Sequence, residues 1–128
     1  MQKSLKLLVA TVLSVTVLSA FEFAQDDEKA KPKHTIKEVM KGAMKGGLNK
    51  KVLSGKASDK EKLELLDMYI SLVENEAPKG DAASWQKFSG MAALAAAKVA
   101  VGREGGMKDL KAATNCAKCH KAHKPPSE

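Results

Sequence analysis

From Thr35 onward the apolar residues of the chain recur with helical period. Ile36, Val39, Met40, Ala43, Met44, Leu48 and Val52 form one 3.6-residue stripe. It opens on Thr35-Ile36-Lys37-Glu38, a capping box in which hydroxyl and carboxylate satisfy each other's backbone N–H. Gly46-Gly47 interrupts the stripe. Two adjacent glycines cost roughly 2 kcal/mol of helix propensity, so they predict a kink or the close approach of a bulky group to the backbone. The helix is expected to run on to about Leu53, with Gly55 closing it. A second capping box, Ser58 to Glu61, starts the next helix. There Leu63, Leu66, Ile70 and Val73 make a stripe that Leu65, Tyr69 and Leu72 widen, which predicts a well-buried helix ended by Pro78 and Gly80. Asp81 is an N-cap for a third helix, on which Trp85, Phe88, Ala92, Ala95 and Val99 align. After Gly102 and Gly105-Gly106 a fourth helix is expected from about Met107 to His120, with Met107, Leu110, Ala113 and Ala117 near one side. Pro125-Pro126 cannot continue it. No segment alternates with period two. The pattern predicts an all-α chain, a four-helix antiparallel up-down bundle.

Upstream of this region the pattern changes. Lys3 and Lys6 precede an unbroken apolar run from Leu7 to Ala20. That is the basic and hydrophobic organisation of a signal peptide, and it is short for a membrane span. Residues 1–24 are read as a cleaved signal peptide, with cleavage after Ala20 or Ala24, and no following cysteine supports a lipid anchor. Residues 25–34, charged and carrying Pro32, read as a flexible lead-in. Residues 35–124 are the single folded domain.

The chain has 128 residues and a formal net charge of +7, which becomes +6 once Lys3, Lys6 and Glu22 leave with the signal peptide. A mature core of roughly a hundred residues is marginal by itself, and a covalent cofactor would help it. Arg103 is the only arginine, and no basic motif is interleaved with aromatics, so nucleic acid is not an expected partner. Dispersed lysines fit a solvated surface that steers toward an acidic partner.

Both cysteines lie in Cys116-Ala117-Lys118-Cys119-His120. Two cysteines three residues apart on a helix project from nearly one face, where they can form thioethers with the two vinyl groups of one haem. His120 then reaches the iron. This is the c-type haem attachment signature, and export agrees with it. A Cys116–Cys119 disulfide is a competing reading in an oxidising compartment. A zinc site from Cys116, Cys119, His123 and either His120 or His34 is another. The thioredoxin-like context of a preceding strand is missing, and ligands crowded on one turn rarely complete a tetrahedron.

With "CAKCH" near the C-terminus and "VM" in the first helix, the chain resembles the class II cytochromes c, the cytochrome c-prime type and its low-spin relatives. The resemblance spans roughly residues 34–123. It implies a four-helix bundle with one covalent haem c on the last helix, held by Cys116 and Cys119, with His120 as proximal iron ligand. It also implies that the first helix covers the other haem face. In low-spin members a methionine there is the sixth ligand, which here is Met40, with Met44 one turn on as the alternative and His34 or no protein ligand as further possibilities. Ala43 and Gly47 on the same stripe would leave room for the ring. Trp85, Phe88 and Tyr69 are expected in the core or against the haem, and His123 on the surface near its edge. Lys118 and Lys121 flank the attachment site.

Two functions follow as expectations. One is a periplasmic or otherwise exported electron carrier with His/Met ligation, meeting acidic redox partner proteins, without a membrane span in the mature protein. The other is a five-coordinate, c-prime-like protein that binds nitric oxide or carbon monoxide. No paired carboxylates, nucleophile triad or phosphate loop points to an enzyme. The family resemblance also allows a homodimer.

Overall fold

The computed structural model describes residues 31–126. The stretch read as a signal peptide, residues 1–24, lies outside them, as does the lead-in up to residue 30. All regular structure among the described residues is helical, and no strand occurs. The elements are α1 (Ile36–Val39), a π-helical turn (Met40–Lys45), α2 (Leu48–Leu53), α3 (Asp59–Glu74), α4 (Ala82–Ala100), α5 (Gly106–Ala113) and α6 (Cys116–His123). None of them is long and apolar enough to cross a membrane.

The helix starts follow their local chemistry. Thr35 Oγ1 accepts from the Glu38 N–H at 3.3 Å, and the Thr35 N–H donates to Glu38 Oε2 at 2.7 Å. Ser58 and Glu61 repeat the exchange at α3. Asp81 accepts from the Ser84 N–H at 2.7 Å and starts α4. The glycine pair does more than kink the first helical run, which stops there and restarts as α2 instead of running on unbroken to Leu53. Gly47 has φ +79°, a left-handed conformation that glycine adopts without a Cβ penalty. The wide π turn in front of it is a feature that recurs at functional sites.

The end of α3 shows how the helices are tied together. It stops at Glu74, earlier than Pro78 would require, and Asn75 is extended. The last carbonyls of a helix lack partners within it. Here the Trp85 indole N–H donates to Leu72 O and Asn75 O at 3.0 and 2.9 Å, and the Gln86 amide donates to Val73 O. One end of α4 therefore completes one end of α3. The core between them is built from Leu65, Tyr69, Leu72, Trp85, Ala92, Ala95, Ala96 and Val99, joined by Val39, Ala43, Val52 and Leu110.

Three expectations are corrected. On α3 only part of the expected main stripe faces inward: Leu63 and Ile70 are 57% and 42% exposed, while Leu66 and Val73 are half-buried and Leu66 packs against the core. The core face of α3 is Leu65, Tyr69 and Leu72, because α3 packs against α4 on one side and against α1 and α2 on another. The last helical run is not continuous. Thr114 Oγ1 bonds back to Leu110 O at 2.8 Å, and Asn115, extended at ψ 105°, caps a new helix by accepting from the Ala117 N–H. Asparagine's short amide makes it a strong cap and a poor helix interior. Finally, the end of the lead-in is docked: the His34 N–H donates to Ser71 Oγ, and His34 O accepts from the Asn75 amide at 2.8 Å.

Candidate functional site

A cavity of about 650 Å³ opens between the first helical run and α6, within the size range of cofactor sites. Met40 and Met44 lie on one wall. Cys116, Cys119 and His120 lie on the wall supplied by α6, while Tyr69, Leu72, Trp85, Phe88, Ser89 and Ala92 line the space from α3 and α4. The small side chains of Ser89 and Ala92 on α4 and Ala113 on α5 leave room where larger residues would fill it. The lining is mostly apolar. Its charged side chains are Lys37, Lys45 and Lys124, and no aspartate or glutamate lines it.

The two cysteines sit one turn apart and are not joined in a disulfide; Cys116 is exposed and Cys119 half-buried. Cys116 Sγ lies 3.9 Å from Thr114 O. Burial, reinforced by the neighbouring Cys116, pushes the Cys119 thiol above its ordinary pKa, so it is held protonated rather than as a reactive thiolate. His120, next to it, is exposed and lines the cavity.

On the opposite wall both methionines are half-buried. Met44 Sδ is 4.0 Å from the Tyr69 hydroxyl, but the single proton of that hydroxyl is directed at Asn49 Oδ1, 2.9 Å away. The Met44 sulfur therefore keeps its lone pairs largely free. Burial drives the Tyr69 pKa far above the ordinary phenol value, with Cys116 adding to the rise, so Tyr69 stays neutral.

The two remaining histidines are held by other partners, although His123 also contributes to the cavity lining. His34 does not line the cavity; its Nε2 is 3.2 Å from Asp67 Oδ2, which Lys33 also contacts at 2.6 Å. His123 is not on the surface near the haem edge, where it was expected. It is buried to 2% exposure, with Nδ1 2.7 Å from Lys79 O and Nε2 3.0 Å from Ser84 Oγ. Its ring meets Trp85 and Phe88 edge to face. With His34 and His123 committed in this way, the zinc ligand set does not assemble, and no three His, Cys, Asp or Glu side chains converge among the described residues.

Arg103 is exposed and away from the cavity, and Lys118 and Lys121 are exposed on α6. The lysines at the cavity are instead Lys37, Lys45 and Lys124, which the charge pattern did not single out. Asn49 and Thr114 were also missed. They lie 65 residues apart in the chain, and only the contact between α2 and the end of α5 reveals their pairing at 3.2 Å.

The donor set and the cavity fit a haem of c type. Two thiols and an imidazole share one helix, two thioethers from another helical run line the same apolar space, and a purely cationic rim suits the carboxylates of an amphiphilic ligand. Comparison with protein-family models, with curated proteins and with solved structures finds no match to this chain.

Proposed function

We propose that the protein is an exported mono-haem c-type cytochrome of the class II kind, a four-helix bundle that carries electrons between redox partners. The observation that carries this reading is one cavity lined by both groups: Cys116, Cys119 and His120 on α6, Met40 and Met44 on the first helical run. Cys116 and Cys119 would hold the haem by thioethers, and His120 would be the proximal ligand. Met40 would be the distal ligand, with Met44 the alternative. When bound, the haem supplies a one-electron iron couple, and His/Met ligation raises its potential. The chain's own contribution is to exclude water with Leu72, Trp85, Phe88 and Ala92 and to pair carboxylates with Lys37, Lys45 or Lys124. Lysines outside the cavity, Lys118 and Lys121 among them, would steer acidic partners into transient, salt-sensitive complexes.

The test is the visible spectrum of the full-length protein expressed with export and haem-attachment machinery. A covalent haem that survives denaturation, with a narrow low-spin α band and a weak near-infrared iron–methionine absorption, is the expected result. A broad high-spin spectrum would replace electron transfer with nitric oxide or carbon monoxide binding. Absence of a Soret band would defeat both.

A further inference from the structure

The motif Cys116-x-x-Cys119-His120 is followed three residues later by a second histidine, which also lines the cavity but, unlike the exposed His120, is buried. Of the eight residues of α6, Cys116, Ala117, Lys118, His120 and Lys121 are exposed, Cys119 and Ala122 are half-buried, and His123 alone is buried. Cys119 packs against the core cluster, and His123 adds buried hydrogen bonds from the last turn.

The chemistry of the ring is determined by its partners. A carbonyl oxygen only accepts, so Nδ1, 2.7 Å from Lys79 O, carries a proton. In the neutral ring Nε2 then accepts from the Ser84 hydroxyl. Both nitrogens are engaged, one with the α3–α4 turn and one with the first turn of α4. The faces and edges of the ring are set by Trp85 and Phe88, with centroids 5.5 and 6.0 Å away. The turn comes this close because Gly80, at φ +81°, has no side chain; a Cβ there would lie 2.7 Å from Ala122 O.

We propose that His123 is a positioning residue: it pins the last turn of α6 to the α3–α4 turn and so sets the distance across the cavity between His120 and the methionine wall. The two histidines of α6 divide the work, His120 as ligand and His123 as anchor. The spectroscopic part of this inference rests on the haem reading above; the anchoring part does not.

The test uses the full-length purified protein and its His123→Phe variant, which keeps an aromatic ring against Trp85 and Phe88 but loses both hydrogen bonds. Amide hydrogen exchange from His120 to Lys124 is expected to speed up about 10-fold or more, while the α3 and α4 core amides are unchanged. In the haem-loaded variant the low-spin signal is expected to give way to a low-spin and high-spin mixture, with the haem still covalently attached. Unchanged exchange overturns the anchor. Faster exchange with an unchanged spectrum overturns the positioning role. If the parent protein carries no haem, that failure belongs to the haem reading, and exchange alone judges the anchor. Should His123→Phe not fold, nitrogen-15 NMR of the parent decides: a slowly exchanging Nδ1–H coupled to the Lys79 carbonyl supports the proposal, and a bare Nδ1 refutes it.

Discussion

The Tyr69 hydroxyl donates to Asn49 Oδ1 across 2.9 Å, joining α3 to α2 beneath the methionine wall. Asn49 passes the chain on, its amide donating to Thr114 Oγ1, which bonds Leu110 O. The relay runs from the side of the first helical run to the residue just before the cap of α6. Removing the Tyr69 hydroxyl strands a buried amide oxygen. Tyr69→Phe is therefore expected to cost about 1–3 kcal/mol, read as a fall of several degrees in Tm. Replacing Asn49 by Leu as well should recover part of the loss, since no orphaned acceptor then remains. Additive losses in the double variant would show that the pair is not coupled.

The methionine wall carries the second prediction. In the haem-bound protein Met40→Ala is expected to lose the near-infrared iron–methionine band, convert nearly all of the low-spin signal and lower the potential. Met44→Ala is expected to keep all three. The reverse pattern would transfer the ligand to Met44, and retention in both would refute a methionine ligand. Optical spectra and a redox titration of each variant give the answer.

Gly80 and Gly47 share a left-handed φ but not a neighbourhood. A Cβ at Gly80 would meet Ala122 O at 2.7 Å, whereas nothing lies within 4 Å of one at Gly47. Gly47→Ala should cost only the backbone penalty, about 1–2 kcal/mol. Gly80→Ala should cost more, about 2–4 kcal/mol, because the turn must also move away from α6. Urea denaturation of the two variants tests the order; equal losses would mean the turn yields freely.

The fourth prediction concerns acid. Lys51 first, and the Ser58 backbone N–H next, hold the Glu61 carboxyl at a pKa of about 2, below its usual 4.5. A depressed pKa means that the folded state binds the proton less readily than the unfolded chain. The stabilisation is thus fully present above about pH 4.5 and fades as the pH falls toward 2. Glu61→Gln is expected to lower the urea midpoint slightly at pH 7 and not at pH 2, and 1 M salt should shrink the difference. A variant whose deficit grows as the pH falls would contradict the assignment.

Much of the helical pattern was legible because it is local. A capping box needs residues four positions wide, and Thr35–Glu38 and Ser58–Glu61 both close as their spacing requires. Gly46-Gly47 breaks the first helical run where two low-propensity residues meet. The face of α3 was misread because Leu63 and Ile70 are as periodic as Leu65 and Tyr69, and periodicity alone does not say which stripe meets a neighbour. The break at Thr114-Asn115 was missed because alanine and leucine on either side favour helix while the decision rests on two short side chains.

The grouping of Cys116, Cys119 and His120 on one turn is determined by the sequence itself, since three and four residues bring side chains to one helix face whatever the rest of the chain does. The assignment of the other histidines is not. His34 reaches Asp67 across 33 residues, and His123 reaches Ser84 across 39 and Lys79 across 44. Hydrogen bonds over such separations exist only after α3 and α4 have packed and capped each other. Before that, the two histidines near the end of the chain look alike; the packed turn at Gly80 and the rings of Trp85 and Phe88 bury one of them in the cavity lining and leave the other exposed.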